Sequence, residues 1–286
     1  MHPILSSQNN PKFIRLLEAS TVAYTRAKRW EVIITYFLIF LAVAYPTTYI
    51  YLKNDHVKYT LFGCSFLLTV IIQVFIDKFK GNTSRGAIYK EEFDVELFQL
   101  PWKSTLRKPN PTEVEKLASA YTGNVIKDWY SPNLASVLPN PIAVAILQHS
   151  NTSWDIVLRK TYRQLLVYFL IIYSLLLMIV FIIKHVDPLT IFLTLFSVLS
   201  FYTHFISLIR AHTAVIKKRK VISDHLDEIL KNKKEIKVSE LRDIQDEIYL
   251  TRQESTKVPN FFFRWHQKKM NEEAEKYIDE VNGIYR

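Results

Sequence analysis

The chain has 286 residues, with 37 Lys and Arg against 27 Asp and Glu, a formal net charge of +10 and 49% apolar residues. That apolar content excludes a disordered chain, and the lone cysteine, Cys64, excludes an intramolecular disulfide framework and any Cys-rich zinc or iron–sulfur site. Five glycines, at positions 63, 81, 86, 123 and 283, spell neither a dinucleotide fingerprint nor a P-loop.

In chain order, residues 1–30 form a first polar piece. Asn10-Pro11 reads as a helix start, with the cap before a proline at the first helical position. Ile14, Leu17, Thr21 and Tyr24 then share one face, and Trp30 sits where an interfacial anchor belongs. Residues 31–76 hold a first apolar hairpin: 32–52 is uncharged, and 57–76 carries only Lys58 at its edge. The middle segment, 77–164, begins with a polar, Gly-containing stretch to residue 90 that predicts a loop. Residues 92–97 fit a strand alternation and a helical face alike. Pro101, Pro109 and Pro111 interrupt the chain, and Thr112 with Glu115 reads as a capping box ahead of Val114, Leu117, Ala118 and Tyr121. Asn140-Pro141 starts a helix through Leu147. Thr152 and Asp155 start another, which runs through Arg159 and Tyr162 into the next apolar block.

Residues 165–209 hold the second hairpin, with uncharged blocks at 165–183 and 189–209. The last piece, 210–286, continues the fourth block. Val215, Ile222, Ile229 and Ile236 recur every seven residues with Leu226 beside them, which fits pairing between chains or a one-sided stalk on its own domain. Ser239 caps a further helix bearing Leu241, Ile244, Ile248 and Arg252. Val258-Pro259-Asn260 breaks it, and Met270, Ala274, Tyr277 and Val281 mark a last amphipathic helix.

A mean hydropathy near zero conceals this segregation. Each apolar block spans a hydrocarbon core of roughly 30 Å at 1.5 Å per residue. The first is too long, and lies behind too many polar residues, to be a cleaved signal peptide. If the blocks pair as hairpins, 34 of the 37 basic residues fall on one side. The positive-inside rule makes that side the cytoplasm and places both termini there. The expected fold is an all-α membrane protein of four transmembrane helices in two hairpins, with a mostly helical cytoplasmic domain. Asn82-Thr83-Ser84 and Asn151-Thr152-Ser153 then face the cytoplasm and are chance matches to the glycosylation pattern.

The basic excess does not point to DNA. In 77–164, twelve basic residues face nine acidic ones, and in 210–286 seventeen face fourteen. The run Lys217-Lys218-Arg219-Lys220, just after the fourth block, fits anionic lipid headgroups. There is no nucleophile elbow, His-Glu-x-x-His or paired-His spacing, and His149, His212, His225 and His266 are scattered over different elements. No catalytic residue, metal site or cofactor is therefore expected.

Two features rise above background. Thr190, Thr194, Ser197 and His204 lie near one face of the fourth block. They fit a pore lining in an assembly of several copies, and they fit close helix packing. Pro46 in the first block is a kink first and a gate second. In the polar segments, Trp102, Trp129, Tyr130, Trp154, Arg159, Arg163 and Arg252 supply rings to stack on and guanidinium groups to hold phosphate. The alternative is core tryptophans, with arginines at headgroups or paired to Asp128 and Asp155.

Glu91-Glu92-Phe93-Asp94, Leu100-Pro101-Trp102, Asp128-Trp129-Tyr130, Asn151, Trp154-Asp155, Leu158-Arg159 and Tyr162 stand between the two hairpins. Gln245-Asp246-Glu247-Ile248-Tyr249, Arg252 and Val258-Pro259 follow them. In order and spacing these resemble the SMODS-associated four-transmembrane effector family of bacterial cyclic-oligonucleotide anti-phage systems. A basic residue precedes the Asn in that family's pattern, where Ser150 stands here. The resemblance implies a cyclic di- or oligonucleotide ligand made by a partner nucleotidyltransferase, and permeabilisation of the bacterial inner membrane. With the residue reading, it implies a homo-oligomer with a ligand site at Trp129, Tyr130, Trp154, Arg159, Arg163 and Arg252. A non-enzymatic scaffold, or a small channel without a nucleotide ligand, is the alternative.

Overall fold

Prolines and Asx caps open several of the helices. The chain, seen in a computed structural model that describes residues 2–52, 54–130 and 133–285, has no strand among those residues. Its helices are α1 (Pro3–Ser7), α2 (Pro11–Tyr51), α3 (Asp55–Leu97), α4 (Pro111–Ala118), α5 (Asn140–Ile183), α6 (Pro188–Ser197), α7 (Leu199–Lys231), α8 (Val238–Glu254) and α9 (Asn260–Ile284). The Asn10 side chain accepts the Lys12 N–H at 3.1 Å, with Pro11 at the first position of α2, as the Asn-Pro pair predicts. Asn54 caps α3 in the same way through His56. Gln99, His185 and Lys233 follow α3, α5 and α7 with φ of 57°, 49° and 49°. They supply, without glycine, the left-handed residue that commonly closes a helix.

Several local expectations give way. The stretch 77–90 is not a loop, because α3 runs through it. Thr83, Gly86, Ala87, Tyr89 and Lys90 are buried there, so tertiary packing outweighs polar composition. Residues 92–97 are its last helical turns. The cap of α4 is Asn110, whose side chain accepts the Thr112 N–H at 2.9 Å, while Glu115 pairs with Arg15. No helix starts at Thr152: α5 passes through it unbroken, and the Thr152 hydroxyl donates to the Gln148 carbonyl at 2.7 Å. Lys237, not Ser239, precedes α8, and α1 had no forecast.

Three helices, α2, α3 and α5, are long and apolar enough to cross a membrane. With 41, 43 and 44 residues, each is about twice the length a bilayer core needs. Each therefore carries one end deep into the polar domain. Taken together, α6 and α7 pass the same test as one span bent by 45°. The break falls at Val198, which caps α6 and precedes α7. Pro46 lies inside α2, which runs on to Tyr51. Helix α2 packs on α3 and α5 on α7, the two expected hairpins. Lys53, in the first link, lies outside the described residues.

Two cores follow from this layout. In the bundle, Leu38, Ala42, Tyr49, Leu193, Phe201 and Phe205 are buried together. In the domain, Leu5, Leu17, Phe93, Leu147, Leu226 and Leu241 form the second. The seven-residue series lies in this core or beside it: Ile222, Ile229 and Ile236 belong to it and Val215 is buried, so the α7 stalk packs on its own domain. The polar stripe of the fourth span also turns inward. Lys58 Nζ lies 3.4 Å from the Thr190 hydroxyl, Thr194 donates to the Thr190 carbonyl, Ser197 meets the Tyr49 hydroxyl at 3.0 Å, and His204 Nε2 meets Thr35 at 3.0 Å. Within one chain Thr190, Ser197 and His204 join helices, as small polar residues commonly do in bilayers, while Thr194 bonds within α6.

Candidate functional site

Helical spacing carries several cations along buried faces into one space on the domain side of the bundle. On α7, Val215 and Ile222 are buried, and Arg219 shares their face at 4% exposure. On α8, Ile248 places Arg252 in the same manner. Lys28 from α2, Lys90 from α3, Arg159 from α5 and Lys257 from the α8–α9 link complete the set. Together with Trp129, Asn151, Trp154 and one carboxylate, Asp155, they line a cavity of about 250 Å³. Each membrane-crossing helix thus contributes one cation: Lys28, Lys90, Arg159 and Arg219.

The pairing inside is dense but incomplete. Asp155 is held by Arg159 and by Arg219 Nη1 at 3.2 Å. Arg219 also donates from Nη1 to the Asn151 carbonyl at 3.3 Å and from Nε to the Thr251 hydroxyl at 3.2 Å. Burial pushes the Asp155 carboxyl up, but Arg159 and Arg219 outweigh it and hold it at about 2. Beneath the cavity Asp94, fully buried, gathers Lys90 Nζ at 2.9 Å, Arg252 Nη1 at 2.6 Å and the Tyr130 hydroxyl at 2.6 Å. Burial pulls Lys90 down to about 7, with Arg252 assisting and Asp94 opposing. Burial, then Arg159, also sets Lys257 well below the usual lysine range.

Arg252 Nη1 is engaged in the ion pair with Asp94, without hydrogen-bond alignment, and its Nη2 finds no hydrogen-bond partner among the described residues. A buried guanidinium nitrogen without an acceptor, on a residue that lines a cavity, is what an anion would satisfy. Metal ions are poorly suited to so cationic a lining.

The rings sit at the edge. Trp129 is 46% exposed, with Lys90 Nζ 4.3 Å from its ring centre. Its loop is clamped by the N-terminal piece: Asn9 and Asp128 exchange two hydrogen bonds of 2.9 and 3.0 Å, and Tyr130 N–H donates to Gln8 at 2.8 Å. Trp154 lies 5.0 Å from the Phe263 ring and donates to Asn271 at 3.2 Å. Of the six forecast ligand residues, Trp129, Trp154, Arg159 and Arg252 therefore line the cavity. Tyr130 stands behind it on Asp94, and Arg163 is outside the lining. Lys28, Lys90, Arg219 and Lys257 had no forecast. Arg219 lay hidden in the run at 217–220, whose other three members are exposed; the spacing from Val215 was the available signal.

The site is wired to the spans. Arg159 Nη1 reaches His212 Nδ1 at 3.1 Å and the Thr256 carbonyl at 2.9 Å, and His212 Nε2 meets the Thr256 hydroxyl at 3.1 Å. Burial and Arg159 drive His212 down to about 3. The ring is therefore neutral, accepting at Nδ1 and donating at Nε2.

Residues 2–281 match the family described as SMODS-associating 4TM effector domain. The chain belongs to that family. It is also 26% identical over 174 residues to a probable CBASS effector molecule of Bacillus cereus strain VD146, a match covering 57% of this chain and 57% of that relative. No solved structure matches the chain.

Several residues that carry the 4TM effector resemblance converge on the cavity: Asp94 beneath it, and Trp129, Asn151, Trp154, Asp155, Arg159, Arg252 and Val258 around it. Others pin the domain, as Glu91 does by binding Arg242 Nη2 and Gln245 Nε2 at 2.6 and 2.7 Å. Ser150 faces a separate cavity beside His149 and Tyr277. There His149 Nε2 approaches both Ser223 at 3.0 Å and Asp227 at 3.3 Å, while Nδ1 has no hydrogen-bond partner among the described residues. A nucleophile relay needs one contact on each ring nitrogen, and this trio does not supply it.

Proposed function

We propose that this protein is a non-enzymatic membrane effector of bacterial anti-phage defence. It binds a cyclic di- or oligonucleotide, made by a nucleotidyltransferase of the same system, and then permeabilises the cytoplasmic (inner) membrane, arresting or killing the cell. The observation that carries this reading is the set of six basic side chains around a single lining carboxylate, with one basic side chain from each membrane-crossing helix. A phosphate placed there draws on Arg159, Arg219 and Arg252 at once. A cavity of about 250 Å³ lies just below the usual range of ligand pockets, about 300–1,000 Å³. It therefore takes one phosphate and one base, stacked against Trp129 or Trp154, while the rest of the ring lies outside.

The coupling is mechanical. A ligand that binds better when Lys28, Lys90, Arg159 and Arg219 move together shifts the four helices that bear them. The break at Val198 lets the upper part of the fourth span turn separately from α7. Thr190, Thr194, Ser197 and His204 then exchange their partners within the chain for water or for neighbouring copies in a homo-oligomer, lining the path. Both termini lie in the cytoplasm, where the basic residues gather.

Thermal shift of the purified chain across a panel of cyclic dinucleotides and oligonucleotides, paired with dye leakage from liposomes, tests the reading. Binding together with ligand-dependent leakage supports it. Arg159→Ala abolishes both while the protein still inserts. No shift with any ligand sinks the nucleotide, leakage without ligand indicates a constitutive channel, and no leakage at all indicates a scaffold.

A further inference from the structure

A second cavity, of about 530 Å³, lies where α2, α5 and α7 pass from the domain into the bundle. Its wall at membrane depth is apolar, built from Val32, Ile39, Leu165, Leu166, Phe169 and Phe205. Its rim on the domain side is basic, built from Lys28, Arg29 and Lys257, with Glu31 the one carboxylate in the lining. Glu31 is engaged through one oxygen, since Oε2 accepts the Lys257 backbone N–H at 3.0 Å, while Oε1 has no hydrogen-bond partner among the described residues. Lys28 Nζ donates to Asn260 at 2.6 Å and keeps further donors. Arg29 is exposed and pairs with no carboxylate among the described residues.

A groove with hydrocarbon walls at bilayer depth and cations at headgroup depth matches one kind of molecule at both ends. We propose that it seats an anionic phospholipid from the leaflet on the domain side, with an acyl chain against Leu165 and Phe169 and the phosphate at Lys28 and Arg29. Juxtamembrane basic residues attract anionic headgroups. A choline headgroup would bring a further cation to a rim that already holds three basic side chains. Lys28 and Lys257 also line the cation cavity, so the lipid phosphate and an anion in that cavity both draw on Lys28. The lipid assignment does not depend on what the cation cavity binds.

The test uses the full chain in neutral detergent, titrated by native mass spectrometry with phosphatidylglycerol, phosphatidylcholine of the same chains, and glycerol phosphate. The expected result is one phosphatidylglycerol retained per chain, at least roughly tenfold tighter than phosphatidylcholine, as two or three basic residues at a headgroup would give, with no binding of glycerol phosphate. Arg29→Gln reduces that preference about fivefold, the effect of one such residue. Leu165→Trp, at a half-exposed position, obstructs the wall and weakens both lipids. Equal retention of the two lipids, a preference untouched by Arg29→Gln, or glycerol phosphate binding as tightly as the lipid would each overturn the proposal. Neither Arg29 nor Leu165 lines the cation cavity, so nucleotide binding measured on the same samples separates failure of this proposal from failure of the ligand reading.

Discussion

Asp155 on α5 and Arg219 on α7 stand 3.2 Å apart, and this contact joins the third and fourth membrane-crossing segments on the domain side. The same carboxylate holds Arg159. An anion entering the cavity competes with Asp155 for both guanidinium groups, so the resting contact and the ligand oppose each other. Asp155→Asn should therefore act in two directions. Stability falls by about 3 kcal/mol, because two buried arginines lose their counter-charge. Binding of an anionic ligand tightens roughly tenfold, as expected for removing one nearby like charge. Melting curves and ligand titration of one preparation check both, and a variant that loses stability and affinity together would sink the competition.

Arg252 and Arg163 make the sharpest contrast among the forecast ligand residues. Arg252 lines the cavity and its Nη2 has no hydrogen-bond partner among the described residues, whereas Arg163 does not line it. Arg252→Ala should weaken binding by about tenfold to a hundredfold, the value of a charged hydrogen bond, and Arg252→Lys should recover little because the fork is lost. Arg163→Ala should bind like the parent. Isothermal titration decides, and equal losses at both positions would remove this cavity from the ligand site.

Protonation of Lys90 sets a pH signature. Burial places its folded pKa at about 7, well under the unfolded value of about 10.4. Between those values the unfolded chain holds more protons, so the stability of the ligand-free protein rises with pH across this window. A bound phosphate favours the charged ammonium and raises its pKa. Affinity is therefore full below pH 7 and falls above it, by at most about tenfold per pH unit. Calorimetry at pH 8 in buffers of different ionisation enthalpy should register proton uptake on binding, and Lys90→Gln should abolish that uptake. Affinity that does not change from pH 6.5 to 9 would exclude Lys90 from the ligand's surroundings.

The spans were legible because charge depletion over about twenty residues has few structural meanings. Arg159, Trp129, Trp154 and Arg252 were legible as chemistry but not as a constellation, since their convergence depends on how far α3, α5 and α7 extend beyond the bilayer. The loop forecast at 77–90 hid Lys90 for this reason. Once α3 is seen to continue, Lys90 and Asp94 are one turn apart on one face. Arg219 looked like part of a headgroup cluster because a run of four cations reads as exposed, yet helical spacing from Val215 separates it from its neighbours. Asp155 fitted both a helix start and a partner for arginines in the sequence, and the structure adds that its two arginines come from different helices.

Gly86 is placed for close approach of α2 and α3. A Cβ there would lie 2.6 Å from Tyr24 Cδ1, and the Ser20 hydroxyl donates to the Gly86 carbonyl at 2.9 Å. Tyr24 lines the cation cavity. Gly86→Ala must displace that ring, so it should cost about 1–3 kcal/mol as an overpacked site and weaken ligand binding as well. Adding Tyr24→Ala should restore part of the stability by removing the clash. A Gly86→Ala variant as stable as the parent would show that the ring moves freely, and the two helices would then not be fixed at this point.

His204 offers the test of the spans themselves. Its Nε2 lies 3.0 Å from the Thr35 hydroxyl, joining α7 to α2 on the domain side of the break at Val198. Replacement by leucine removes one interhelical hydrogen bond, on average about 0.6 kcal/mol in a bilayer, and leaves an apolar surface that lipid tolerates. Insertion and stability should thus change little, and so should ligand affinity, because the cavity lining is untouched. Ligand-dependent dye leakage should change, since the imidazole is the ionisable side chain on the polar stripe of the fourth span. Leakage equal to the parent's, with the bond to Thr35 gone, would mean that the stripe only packs helices and that ions cross elsewhere.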